Sequence, residues 1–414
     1  MTPIAVISSS DARAVDALLS PRRIDDAAAL SAAARIVEAV RAEGDKAVAR
    51  FARRFDGDAP PFEVPRAAWA LNAARAPRAV RAALATAARN IAVVARAQKP
   101  RGFRLRVASG VTVEQRVRPL DTVGCYVPGG RYPLPSSLLM TAIPARIAGV
   151  KEIVAVCPRL EPAIYAAALA AGVTRLFRVG GPHAIAALAI GTETIPRVDR
   201  IVGPGNRYVA AAKRYVAGEV GIDMHAGPSE ILILSDRGRA EWLAADMIAQ
   251  AEHDPDARAV LVTTRPALAK AVAQHIARRM PPIGPAAEAL AAHGGIIVTR
   301  SARESIALAN RMAPEHLVVD DEATAAAVQS AGSIFIGGQT AQVAGDYAIG
   351  SNHVLPTGGA ARFRGGLHTA DFVRVVTVQR LTAAGLKRLG PAVRTLAHAE
   401  GLDAHAASIA VRGA

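Results

Sequence analysis

This sequence predicts a mainly parallel α/β protein in two lobes, with a helical N-terminal region and a small helical C-terminal tail. Three observations carry the prediction. From about residue 121, short β-branched runs alternate with Ala-rich helical stretches: IVAVC, LFRVGG, RIVGPG, EILILS, AVLVTT, GIIVTR, HLVVDD and SIFIGG. These runs are apolar throughout, so each is buried on both faces, as in βαβ units and parallel sheets. The runs are numerous enough for two such sheets, and a chain of 414 residues is too long for one ordinary core. Two Rossmann-like lobes follow, each an incomplete, mainly parallel sheet.

The elements can be taken in order. Residues 1–125 read as a helical region ending in a hairpin, expected to pack with the second lobe. Its helices are DDAAALSAAARIVEAVRAEG, KAVARFARRF after the break at Gly44, and RAVRAALATAARNIAVVARAQ after Pro77. FRLRVASGVTVEQRV then alternates apolar and polar residues around a Ser-Gly turn, a hairpin signature. Residues 126–228 form the first α/β lobe and 229–370 the second. Ligands of such sheets bind beyond the carboxyl ends of the strands, so a site is expected there. The segment 371–414 returns to helix (TAAGLKRLGPAVRTLAHAEG) as a tail apart from both lobes.

Composition excludes several classes. The net charge is +15, but 44 arginines and six lysines are spread along the chain without a basic stripe carrying interleaved aromatics. That pattern argues for a solvated surface and against nucleic-acid binding. No apolar stretch approaches the roughly 18 residues of a membrane span, and MTPIAVISSSDARAV has no basic region ahead of an apolar core. A cytoplasmic protein with no membrane partner is expected. Cys125 and Cys157 sit in apolar contexts, VGCYV and VAVCP, and read as buried small hydrophobes.

Three glycine turns, VPGG at 127–130, VGG at 179–181 and GPGN at 203–206, could bring backbone amides to a phosphate ahead of a helix. None forms G-x-G-x-x-G, so each taken singly is more often just a tight βα turn, and only the three together in one lobe point weakly to a nucleotide cleft. All ten histidines lie at or after His183, and four clusters pair one with an acid or amide. These are Gln250 with His253, Glu315 with His316, Asp346 with His353, and Glu400 with His405. Nitrogen and carboxylate donors in this mixture suit zinc or a similar divalent ion, although no spacing motif selects the ligands. Glu315 and His316 are adjacent, so they can share a site only from a loop or strand entrance, which Pro314 favours. There they could supply a histidine base and a carboxylate that activates water.

Seven segments then resemble one family: VPGGRYPLPSSLLMTAIPARIAGV, VDRIVGPGNRYVAAAKR, IDMHAGPSEILILSD, QAEHD, APEHL, GDYAIGSNHVLPT and AEGLDAH. In order and spacing they are similar to histidinol dehydrogenase, from about residue 30 to the C-terminus. The resemblance implies oxidation of L-histidinol to L-histidine through histidinal, with two NAD and one zinc, as the last step of histidine biosynthesis. It implies Gln250, His253, Asp346 and His405 as zinc ligands, His316 as general base and Glu315 as activator of water. Ser229, Glu400 and the zinc shell, with His316, would hold the substrate, and Tyr126 and Asn206 would contact NAD in the first lobe. It also implies a homodimer in which the tail reaches the neighbour's active site.

Two positions depart from the family pattern. GGPHA places His183 where the family has glutamine at an NAD contact, and GGLHTADF places His368 where a non-titrating residue is usual. His368 reads as incidental, with a contact on the substrate side as the alternative. Two other functions compete with histidinol oxidation: a related enzyme acting on another small polar alcohol, and a non-enzymatic binding module using the basic surface. Glu400 beside His405 argues against the first, because that acid should read an imidazole.

Overall fold

The computed structural model describes residues 4–21, 26–129, 133–225 and 227–413. Among them the strands are β1 (Ala5–Ser8), β2 (Phe103–Ala108), β3 (Val111–Pro119), β4 (Thr122–Tyr126), β5 (Glu152–Val156), β6 (Arg175–Phe177) and β7 (Arg200–Val202). They continue with β8 (Gly221–Ile222), β9 (Glu230–Leu234), β10 (Arg258–Thr263), β11 (Gly294–Val298), β12 (His316–Val319), β13 (Ser333–Ile336) and β14 (Val373–Leu381).

Three sheets result. The first lobe holds five parallel strands in the order β6-β5-β4-β7-β8, and the second holds six in the order β1-β11-β10-β9-β12-β13, also parallel. The third is antiparallel, β14-β3-β2. Successive side chains of β9 alternate across its sheet. Ile231 and Ile233 enter one apolar cluster with Met247, Leu261 and Ile296, while Leu232 and Leu234 enter another with Val15, Val262 and Leu317. Both faces are therefore covered by helices, which is why the run EILILS is apolar without alternation.

Three expectations change. The N-terminal helices pack mainly on the first lobe, and the helix Arg78–Ala97 also touches the second, where Asn90 donates to the Ala348 carbonyl at 2.8 Å and Thr369 donates to the Ala95 carbonyl at 2.7 Å. Ala27–Glu43 and Asp45–Phe55 join the core around Val154, Leu188 and Ile201, and Ala67–Ala74 with Arg78–Ala97 join the core around Leu138, Ile143 and Ile153, on opposite faces of the first sheet. Only β1 and the helix Ala12–Leu19 belong to the second lobe, through pairing of β1 with β11 and burial of Val15 and Leu19. The first sheet also begins before residue 126, because β4 starts at Thr122. The tail is not helical throughout, since VRVVTVQRL forms β14 and pairs with β3 along nine residues. The hairpin expected at 103–117 is present as β2 and β3. Its Gly110 has φ 74° and packs against Gly385 and Thr382, where the helix Ala383–Ala399 begins, so the tail starts from this sheet.

Candidate functional site

The first sheet carries its expected loops at the carboxyl edge. Tyr126 ends β4 with its ring buried, and its hydroxyl accepts a hydrogen bond from the Gly181 N–H at 3.2 Å. Asn206 caps the helix Arg207–Val216, its side-chain oxygen accepting from Tyr208 and Val209 N–H at 3.0 and 3.1 Å. Gly203 has φ 116°, and a Cβ there would collide with the Tyr126 carbonyl, so only glycine lets the GPGN turn lie against that strand. Gly129 and Gly180 both pack on Pro158, and Gly130 lies outside the described residues.

His183 is fully buried at the start of the helix Gly181–Ile190. Asp56 Oδ2 receives the Gly180 N–H at 2.9 Å and lies 3.1 Å from His183 Nε2. Phe51 and Phe55 flank the ring, with centroids 6.2 and 6.3 Å away. The imidazole is thus built into the glycine turn rather than held open at its mouth.

In the second lobe the polar residues gather at the other edge. Glu315 and His316 stand where β12 begins, and Ser229 immediately precedes β9. The general expectation of a carboxyl-edge site therefore fails for this sheet. At its carboxyl ends Asp236 receives the Thr263 and Thr264 hydroxyls and the Thr264 N–H, and Asp320 receives the Ser235 hydroxyl, Asp236 N–H and Arg237 N–H, so loops close that edge. The amino edge is shaped by a sharp turn: the helix Ala302–Met312 ends at Ala313, whose φ of 48° is left-handed, and Pro314 leads straight into the strand. Adjacent Glu315 and His316 reach one site from this strand entrance.

Three side chains form a directional relay. Ser229 Oγ donates to Glu315 Oε2 at 2.6 Å, and Gln250 Nε2 donates to Ser229 Oγ at 2.6 Å. The Glu230 N–H also reaches Glu315 Oε2, at 2.8 Å. Ser229 has one proton and gives it to Glu315, so it must accept from the amide nitrogen of Gln250. Gln250 Oε1 is left buried with no hydrogen-bond partner among the described residues. His316 Nδ1 lies 3.2 Å from the Glu230 carbonyl, which fixes the proton on Nδ1 and leaves Nε2 as the basic nitrogen. Nε2 is buried with no hydrogen bond among the described residues and lies 3.4 Å from Asp346 Oδ1. Burial raises the Glu315 carboxyl against the pull of His316. Burial alone would lower His316, but the Glu315 carboxylate and then Asp346 reverse it and hold the imidazole above its ordinary value.

Three contributors were not singled out from sequence. Gln342, fully buried, donates to Asp346 Oδ2 at 2.6 Å from one turn earlier on the helix Gln342–Tyr347, an i,i+4 spacing readable in QVAGD. Glu230 is buried beside Arg258, and burial pushes its carboxyl up to about 7. Ser137 meets His353 Nε2 at 3.2 Å while His353 Nδ1 lies 2.8 Å from the Asp346 carbonyl. His353 therefore braces the Asp346 backbone through Nδ1 and ties it through Nε2 to Ser137, and burial keeps it below the ordinary imidazole value.

The remaining residues divide. His253 lies just past the helix Ala240–Ala251, exposed, and near enough for its charge to bear on Glu315 and Asp346. Glu400 and His405 are exposed on the tail, and no hydrogen bond or ion pair among the described residues joins them to this site. Among the described residues no group of three or more His, Cys, Asp or Glu side chains converges as a metal site. His368 caps the short helix Thr369–Phe372, its Nδ1 accepting from Ala370 N–H at 3.1 Å. Cys125 and Cys157 are buried free thiols, each pushed up to about 12 by burial, which suits packing and not nucleophilic chemistry.

Comparison with known proteins identifies the family and the fold. The family profile for histidinol dehydrogenase matches residues 20–413. Histidinol dehydrogenase of Rhizobium meliloti (strain 1021) is 46% identical over 396 residues, covering 91% of this chain and 90% of that protein. The Thermus thermophilus enzyme of the same name is 47% identical over 384 residues, covering 91% and 93%. The crystal structure of histidinol dehydrogenase from Elizabethkingia anophelis superposes with a TM-score of 0.92 at 33% identity, covering 99% of this chain and 98% of that one. By sequence along nearly its whole length, and by fold, the chain belongs to the histidinol dehydrogenase family.

Proposed function

We propose that the chain oxidises L-histidinol to L-histidine through histidinal in two NAD-linked steps, completing histidine biosynthesis. One observation carries the reading: Glu315 and His316, buried side by side at a strand entrance, are tied through Ser229 to Gln250 and face Asp346. His316 Nε2 takes the alcohol proton in the first oxidation and the proton of the hydrated aldehyde in the second. Among the described residues Glu315 accepts its hydrogen bonds on Oε2, which leaves Oε1 to draw a proton from the water that attacks the aldehyde. Neither role needs a thiol, consistent with the buried cysteines.

The donor set fits zinc. Gln250 Oε1 is a buried oxygen without a hydrogen-bond partner among the described residues, and His253 lies close enough to Asp346 to act on its carboxylate. Those three, with His405 from the tail of a second copy, would hold the ion in a homodimer with shared sites. Bound zinc supplies Lewis-acid anchoring of the substrate's nitrogen atoms. Glu400, five residues before His405, would then read the imidazole beside Ser229. NAD supplies the hydride acceptor in both steps. Tyr126 and Asn206 would contact it, and His183 would serve it through Asp56, which holds the Gly180 amide.

Glu315→Gln tests the division of roles. The first oxidation should persist, while the second falls by about 10²–10⁴-fold, so one NADH forms per substrate and a carbonyl reagent traps the aldehyde. Equal loss of both oxidations, or loss of neither, would overturn the assignment.

A further inference from the structure

The Gly203 peptide is gripped on both sides by a buried ion pair. Lys213, from the helix Arg207–Val216, and Asp223, just after β8, are paired directly and are 3% and 2% exposed. Lys213 Nζ donates to the Gly203 carbonyl at 3.0 Å, and the Gly203 N–H donates to Asp223 Oδ2 at 2.7 Å. Asp223 Oδ1 also receives the Met224 N–H at 2.6 Å. The pair thus fixes both hydrogen-bonding groups of the residue that opens GPGN and presses on Tyr126. Asp223 also belongs to the segment leading to the catalytic edge. Arg364 donates to its carbonyl, and Gly227 and Gly358 N–H bind Thr357 Oγ1 and Glu230 Oε1 at 2.5 and 3.0 Å.

A buried ion pair is a poor way to gain stability, because apolar residues of similar volume commonly do as well. Here its polar atoms converge on one glycine peptide. We propose that Lys213 and Asp223 are positioning residues for the nucleotide loop, setting affinity for the dinucleotide without touching it. The inference rests on reading Tyr126 and Asn206 as NAD contacts.

The decisive variant is Lys213→Met with Asp223→Leu, which replaces the pair by apolar side chains and releases Gly203. In the zinc-loaded enzyme, NAD dissociation measured by calorimetry should weaken by about 10- to 100-fold. kcat at saturating NAD should stay within about threefold, since the Glu315–His316 site is untouched. Asp223→Asn, which keeps an acceptor but loses the ion pair, should shift affinity the same way by less, and it serves if the double variant does not fold. NAD affinity within about twofold of the parent in a folded variant, whatever its Tm, would overturn the proposal. Asn206→Ala separates the two readings. If it too leaves NAD affinity unchanged, the loop is not the nucleotide site. If it weakens binding while the pair variants do not, the clamp alone is refuted.

Discussion

Ser229→Ala should damage the site out of proportion to the single oxygen removed. That hydroxyl donates to Glu315 and accepts from Gln250, both at 2.6 Å. Alanine removes one hydrogen bond to a carboxyl, about 1–3 kcal/mol, and leaves the Gln250 amide nitrogen buried and unpaired, about 1–3 kcal/mol more. Around 3 kcal/mol is therefore expected, a fall in the melting temperature of the second lobe of about 5–10 °C. A second effect is chemical. By accepting from Nε2, Ser229 dictates which end of the Gln250 amide faces its own hydroxyl and hence that Oε1 faces away. With that constraint gone the amide can turn, and zinc affinity should drop by about 10–100-fold. Differential scanning calorimetry of the metal-free protein reads the first effect, and chelator competition reads the second. A variant that melts with the parent and holds zinc as tightly would refute both the relay and its role in aiming Gln250.

Glu230 supplies a pH signature. Its carboxyl ordinarily titrates near 4.5 but is raised to about 7 by burial, so the folded state holds the proton more tightly than the unfolded chain. Stability from this group is present below about pH 4.5 and is lost as pH rises through about 7, to the extent of about 3 kcal/mol. Glu230→Gln should therefore gain on the parent in urea melts as pH goes from 4.5 to 7.5, and parallel curves would contradict this. The exposed tail yields a different test. His253→Ala and His405→Ala chains, each inactive alone, should recover activity when mixed under subunit exchange, because some dimers keep one intact site. No recovery with exchange verified would put His405 in its own chain's site.

Much of the fold was legible because burial on both faces leaves an unmistakable mark. Runs such as EILILS and AVLVTT, where every residue meets a helix layer, announce parallel strands. The edges were not legible. β1 is four residues, AVIS, set in polar surroundings, and its exposed positions show that it is an edge strand gaining its place from β11. β14 alternates too imperfectly to stand out beside a strong helical pattern, and its pairing with β3 crosses more than 250 residues. At the site, the adjacency of Glu315 and His316 was enough to demand a strand entrance. Which edge of the sheet it lay on was not, because that depends on where the helix-to-strand turn at Ala313 meets Ser229. Gln342 and Glu230 stayed hidden for the same reason: their roles are orientations of groups whose partners only folding reveals.

The most direct measurement is the count of NADH formed per L-histidinol by the zinc-loaded protein with excess NAD, with the product analysed. Two NADH and one L-histidine are expected, with no aldehyde released to a carbonyl trap. One NADH with histidinal as the end product would contradict the second oxidation assigned to Glu315 and His316. No NADH at all would contradict histidinol as the substrate.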